Sequence, residues 1–515
     1  MPRHNTLALF LLFTTSAVAQ PVIDYNFSLA AGLSDSRLAP YYIQSNTGGK
    51  FTAGAMTLAG VEAHVATDTT ARLTWGAGVE IWGGATRSNW FYTTTATDHA
   101  GTTSLTRQHE RPAAAWIQQA YLTGRYRCMT LTLGQREQKS VFTGNNSSGD
   151  LTRGNNAHPL PGIELAFDRY RTIPYTAGWV QVFLNLGFFY NTDDSWIKHH
   201  TALAGSSITT GYRLAHKSLF LRSNPSRPVM VTLGIQTACQ FGGTTTTRDT
   251  RGDIISQTKI KSDFSAYLHS IIPSSGGNAT GDHYYEGNHV GSIDIAIDWH
   301  IKNGHTMRAY HQNPFEDASG MGKLNGWDGL YGLEYIGKSD AIVSNVVVEY
   351  LTTVNQSGPV HWAPKDHPDT FITHEATGSD DYYNNYCYNG YHTAGMSIGT
   401  PMLVSPIWNT SGVVRFNDNR IRGFHLAVEG HINSEWGYRV LGGYRNSWGT
   451  YSVPRGNRAH DTSFLLETTY KPSWLSNITA RAQAAMDRGT LIGNRFGALI
   501  TVSYSGCLDF KRHKR

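Results

Sequence analysis

Beyond its N-terminal segment the chain has no stretch approaching the roughly 18 uncharged apolar residues that a membrane-spanning helix requires, so no such helix is expected in the exported protein. Cysteine is scarce as well. Cys128, Cys239, Cys387 and Cys507 are scattered without a C-x-x-C spacing, which signals neither a disulfide framework nor a zinc site and leaves three pairings open. An excess of one charge is missing too: Arg3 near the start and Lys511, Arg512, Lys514 and Arg515 at the end account for the whole formal +5. A body with balanced charge carries no footprint for nucleic acid, and the basic tail reads as disordered. No linker divides the chain and no fixed-period repeat emerges, which argues for one domain. His374-Glu375 does not extend to the second histidine of an H-E-x-x-H metal site. Asp380, Asp381, His374 and His392 are the one grouping that would suit an enzyme, a hydrolase. Against it, the expectation is a chain with no catalytic residues, no metal and no cofactor.

What is present points to export and to strands. Arg3, the apolar run from Thr6 to Phe13 and the small residues Ala17, Val18 and Ala19 have the layout of a signal peptide, with cleavage between Ala19 and Gln20. Fifty-three glycines, 27 tyrosines and 13 tryptophans, with a mean hydropathy of −0.34, suit many short strands and aromatic girdles.

Those strands alternate. A wall strand between lipid and an interior must put apolar and polar residues on opposite faces, because the side-chain period is two. Phe424, Leu426, Val428 and Ile432 share one face, and His425, Glu429, His431 and Asn433 the other. Ile293, Ile295, Ile297 and Trp299 likewise oppose Ser292, Asp294, Asp298 and His300. From Asn477 to Asp487 the outward set is Ile478, Ala480, Ala482, Ala484 and Met486, against inward Thr479, Arg481, Gln483 and Asp487. A last strand carries Phe496, Ala498, Ile500, Val502 and Tyr504 on one side, close to the chain's end. A soluble sandwich also alternates, but at about 500 residues it would have to divide into domains. Backbone polar groups at membrane depth must all be paired, so alternation outside helices implies a closed sheet, and the length accommodates roughly 16 to 18 strands.

Several motifs, spread in order along the chain, resemble those of the Wzi capsule-assembly family. Ser148-Gly149-Asp150-Leu151 and Asn156-Ala157-His158-Pro159-Leu160-Pro161 are similar to its S-G-D-L and N-A-R-P-I-P elements, with His158 where arginine is usual. Further matches are His216 to Arg222, Gly287-Asn288-His289, Phe315 to Met321, Asp328 to Gly332, Glu349-Tyr350-Leu351 and Asn355 to Pro359. Tyr382 to Asn385, Ile398 to Pro401, Arg420-Ile421-Arg422 and Asn446 to Thr450 complete the set. The resemblance implies an all-β fold, a single transmembrane antiparallel β-barrel of about 18 strands with long loops and an occluded lumen. It also implies a lectin that attaches capsular polysaccharide to the cell surface. The expected organisation is a leader at 1–19, a barrel at 20–506 and a basic tail at 507–515. The expected partners are capsular or surface polysaccharide and outer-membrane lipid, with the protein a monomer.

Sugar recognition needs aromatic faces for C–H patches and amide or charged groups for hydroxyls and carboxylates. The region from His361 to His392 reads as one long loop supplying both, with Trp362, Lys365, Tyr382, Tyr383, Asn384, Asn385 and Tyr386 as candidates. Packing of the loop on itself, or a membrane-interface girdle, is the alternative for these aromatics. Trp327, Asp328 and Tyr331 form a second candidate platform, again with a girdle as the alternative. The inward residues His425, Glu429, His431, Arg481 and Asp487 read as a polar network that plugs the lumen, since buried charges need partners. The same polar inward faces leave a porin as the competing function.

Overall fold

The computed structural model describes residues 22–67, 71–96, 103–110, 115–201, 207–249, 253–272, 287–358, 361–362, 376–377 and 380–509. Eighteen antiparallel strands form its wall. In chain order they are β1 (Val22–Leu38), β2 (Ala53–Ala66), β3 (Leu73–Thr86), β4 (Ala115–Tyr126), β5 (Met129–Gln135) and β6 (Pro161–Phe167). Next come β7 (Val180–Tyr190), β8 (Arg213–Ser223), β9 (Val229–Phe241), β10 (Asn288–Ile301), β11 (His305–Phe315) and β12 (Gly329–Ile336). The last six are β13 (Asn345–Thr352), β14 (Ile421–His431), β15 (Trp436–Gly449), β16 (Pro454–Tyr470), β17 (Ile478–Gly489) and β18 (Arg495–Asp509). Strand β6 continues after a bulge as Arg171–Thr172, since both pieces pair with β7.

Each strand pairs with its sequence neighbour, and β1 also pairs with β18, from Val22 opposite Asp509 to Ser34 opposite Gly497. The sheet is therefore closed and has no free edge. Because β18 runs to Asp509, Cys507 and Leu508 belong to the closing strand, and the boundary expected at 506 moves three residues along. No disulfide joins the four cysteines.

Alternation appears as expected in the register. Ile293, Ile295, Ile297 and Trp299 are exposed on the outside of β10, whereas Ser292, Asp294 and Asp298 are buried inside. On β14, Phe424 and Leu426 point out and His425 and Ala427 in. The closing strand repeats this with Phe496, Ile500 and Val502 outside and Leu499 within.

Connections differ sharply between the two ends. At one end the turns are short, such as 127–128, 302–304 and 432–435. At the other they are mostly long, including 39–52, 136–160, 191–212, 242–287 and 353–420. Short helices punctuate the long connections: α1 (Tyr41–Gln44), α2 (Asp194–Thr201) and α3 (Phe264–Ile271). No helix among the described residues is long and apolar enough to cross a membrane.

Candidate functional site: the filled bore

Three segments of the long connections fold inward and meet inside the barrel: 39–52, 136–160 and 380–420. They interlock through backbone groups. Gly48 N donates to Asn155 O at 2.7 Å and Gly154 N to Ile398 O at 3.0 Å, while Asn156 Nδ2 donates to Ser397 O at 3.0 Å. Tyr391 Oη donates to Thr152 O at 2.6 Å and Tyr383 Oη to Leu151 O, which fastens the third segment to the second. Phe142, Leu151, Tyr382, Tyr383, Tyr391, Met402 and Phe416 are buried with wall residues Phe220, Tyr310, Leu330 and Leu351 in one apolar core. A bore lined by polar side chains is thus filled by a core of its own.

Side chains of the wall hold this plug one contact at a time. Glu349 on β13 accepts Ser147 Oγ at 2.6 Å, Ser148 N at 2.6 Å and the Tyr310 hydroxyl. Asn146 Nδ2 donates to Glu429 at 2.6 Å and to Asn345 at 2.8 Å. Gln236 Nε2 bridges Asp150 of the plug, at 3.1 Å, and Asp294 of β10, at 2.9 Å. Tyr41 N donates to Asp487 at 3.0 Å, and the Tyr42 hydroxyl meets His425 Nδ1 at 2.8 Å. Arg445 pairs with Asp461 at 2.7 Å, donates to Pro401 O and Met402 O, and lies 4.0 Å over the Tyr41 ring.

The inward candidates fall into different roles. His425 and Asp487 hold the plug, and Glu429 anchors Asn146. Arg481 is half exposed, 3.6 Å from Glu467, and borders a cavity of about 430 Å³ that also touches Lys50, Phe51, Lys139, Asn146 and Arg439. His431 ends β14 at the short-turn side.

The loop candidates divide more sharply. Tyr382, Tyr383 and Asn384 are buried, contrary to the reading of an open sugar platform, because their polar atoms are spent inside the molecule. Asn384 Nδ2 donates to Phe416 O at 2.8 Å, and the Tyr382 hydroxyl receives Asn325 Nδ2 at 3.1 Å. Asn385 is half-buried and caps the turn at Cys387 N and Tyr388 N, whereas Tyr386 is 53% exposed. Trp327 is 81% exposed. Its neighbour Asp328 is buried and accepts Gln356 N at 2.7 Å and Asn355 N at 3.1 Å. Tyr331 stacks on His311 with ring centroids 4.3 Å apart, and its hydroxyl donates to Trp327 O. Trp362 lies in a two-residue strand opposite Ala376, and Lys365 falls outside the described residues.

A carboxyl cluster knits these loops together. Asp380 accepts Ser357 Oγ at 2.5 Å and Ser319 Oγ at 3.3 Å. Burial and the nearby Asp317 push the Asp380 carboxyl up to about 7, and burial pushes Asp328 up to about 6. Among the described residues no group of histidine, cysteine and carboxylate side chains is arranged to hold a metal.

Two short motif matches in the chain lose their chemical meaning in place. Gly332 to Ser339 fits G-x-x-x-x-G-K-S, but Gly332 to Ile336 lie in barrel strand β12, not in a phosphate-cradling loop before a helix. Gly395 to Gly399 fits G-x-S-x-G, yet Ser397 is buried and its hydroxyl donates to Thr400 O at 3.2 Å. His392, opposite Ser397 and 3.7 Å from Asp193, bonds Val414 O through Nε2 at 2.7 Å. Neither residue faces a surface where a substrate would sit.

No family model matches the chain, and no curated protein matches it. Solved structures do. Wzi of Escherichia coli, described as an outer-membrane protein involved in group 1 capsule assembly and a carbohydrate-binding β-barrel, aligns with a TM-score of 0.54 at 11% identity, covering 93% of this chain and 84% of that one. OccD3 of Pseudomonas aeruginosa aligns at 0.46 and 8% identity over 96% and 93% of the two chains. OccAB2 of Acinetobacter baumannii aligns at 0.46 and 9% over 95% and 98%. The likeness to Wzi, at that identity, is one of fold: this chain is a closed 18-stranded β-barrel of the outer-membrane type.

Proposed function

We propose that this chain is a Wzi-like outer-membrane barrel, exported through a cleaved leader, that binds capsular or surface polysaccharide at its long-loop end and catalyses nothing. The observation carrying the proposal is the filled bore, in which three interlocked segments occupy the space a channel would need. Exposed Trp327 and Tyr386 in the long connections offer aromatic faces for C–H stacking. Many weak contacts along a repeating polymer add up through avidity, so no deep sugar pocket is required. The structural neighbour Wzi, itself a carbohydrate-binding barrel, is consistent with that use of the fold. The porin reading draws on the polar inward faces and on the cavity of about 430 Å³.

Deleting the gene in an encapsulated host separates the two. Polysaccharide should pass from the cells into the medium, and the purified barrel should be silent in a planar bilayer while binding glycan on an array. Capsule that stays attached in the deletion strain, together with large steady currents from the pure protein, would replace this reading with a channel.

A further inference from the structure

The connection from β9 to β10 does something the plug segments do not: its helix α3 packs against the outside of the wall. Asp263 caps the helix through the Ala266 amide, at 3.0 Å. Ala266 is buried with Ala215, Cys239 and Phe241, while Tyr267 packs edge-on against Phe188 and Phe241, both at 5.0 Å between ring centroids. Side-chain parity shows which face of the wall this is. Ala215 shares a face of β8 with exposed Leu219 and Leu221, and Cys239 and Phe241 share a face of β9 with exposed Leu233. Lys217 also lies on that outer face. Its ammonium is tucked under the helix, donating to Ser270 O at 2.6 Å.

The opposite side of α3 is apolar and bare. Phe264, Leu268 and Ile272 follow one another at i, i+4 and i+8, and are 77%, 48% and 71% exposed. This ridge continues the outer apolar belt of Leu219, Leu221 and Leu233 toward the long-loop rim. We propose that α3 lies in the membrane itself, with Phe264, Leu268 and Ile272 seated among the acyl chains at the interface on the long-loop side. One feature selects lipid over a second copy of the chain, and another selects it over water. A ridge of two helix side chains and the C-cap Ile272 is far short of the roughly 800 Å² per partner that a stable protein interface buries. The covered Lys217 fits a wall surrounded by oil at this level, since a lysine in water needs no lid. The helix thus works as an amphipathic interfacial anchor that fixes the depth and the loop end of the barrel. The inference is independent of what the loops bind.

Spin labels test it. In the full chain carrying Cys128→Ser, Cys387→Ser and Cys507→Ser, with buried Cys239 kept, single labels would be placed at Phe264→Cys and Leu268→Cys. Reference labels would sit at Leu219→Cys on the belt and Trp327→Cys in an exposed loop, all in phosphatidylcholine vesicles. Collision with oxygen against a water-soluble nickel chelate reads the depth. Labels at 264 and 268 should favour oxygen within about twofold of the Leu219 reference, and a Ser265→Cys label, beside the ridge, should favour the chelate more. Labels at 264 and 268 that match the Trp327 reference would overturn the proposal, as would spin–spin broadening between copies. A Leu219 label that itself reports water would overturn it at the level of the belt.

Discussion

Replacing Glu349 by alanine should loosen the plug without unfolding the wall. The carboxylate sits on β13, whose pairing with β12 and β14 does not involve its side chain. From the plug it receives Ser147 Oγ and Ser148 N, both at 2.6 Å. Hydrogen bonds to a charged acceptor contribute about 1.5–3 kcal/mol each, so two of them are worth about 3–6 kcal/mol. Water entering the space left by the side chain recovers part of that, and the lower figure is the better guide. A loss of about 3 kcal/mol on a local opening equilibrium raises the open population roughly 150-fold. Hydrogen exchange followed by mass spectrometry on the barrel in nanodiscs would read it at residues 147–152, with strand amides of β14 and β15 as internal controls. Glu349→Gln, which keeps an acceptor, should change protection there less than about tenfold. Unchanged protection at 147–152 in Glu349→Ala, with the wall controls intact, would refute the reasoning that Glu349 anchors the plug.

Arg445→Ala should cost about 3–5 kcal/mol, because it leaves Asp461 buried without its partner and frees Pro401 O and Met402 O; a thermal melt in detergent no lower than wild type would contradict this. Ile297→Arg, on the lipid face of β10, should disfavour insertion by about 2–4 kcal/mol near the bilayer midplane, read as a lower denaturant midpoint for folding into vesicles. The loop cluster should tighten as pH falls. Asp380 and Asp328 keep protons in the folded loop up to about 7 and about 6, which they release near 3.9 when unfolded. Their contribution is therefore complete below about pH 4 and lost as pH rises through 7. Exchange protection at 355–358 and 380–384, corrected for intrinsic rate, should be greater at pH 5 than at pH 8, and Asp380→Asn should flatten the difference.

The wall was legible in the sequence because its physics is local. A period of two, with Asp294 and Asp298 interleaved among Ile293, Ile295 and Ile297, is visible within ten residues and fixes inside and outside together. Length bounded the strand count at roughly 16 to 18, and the family resemblance narrowed it to about 18. The loops were less legible for a related reason. Tyr382, Tyr383, Asn384 and Asn385 look like a sugar platform by composition, but aromatic and amide side chains serve equally well to pack and to satisfy a buried turn. Which use applies depends on partners such as Leu151 O and Phe416 O, far away in sequence or supplied by another segment. Asp150 and Glu349 carried a signal only through the motif matches at 148–151 and 349–351. Nothing in local pattern joins Ser147 to Glu349, two hundred residues on.

Alternation alone does not distinguish a channel from a plugged barrel, since both need polar side chains facing inward. The difference lies in what those side chains meet. A channel wall solvates its charges with water, whereas here Glu349, Glu429, Asp487 and Gln236 each meet a particular group of the plug: Ser147 and Ser148, Asn146, Tyr41 N and Asp150. Expelling the plug to let a solute through would break these five contacts together and open the apolar core that the plug shares with the wall. In the proposed role the plug stays where it is, as the floor from which the loops bearing exposed Trp327 and Tyr386 project.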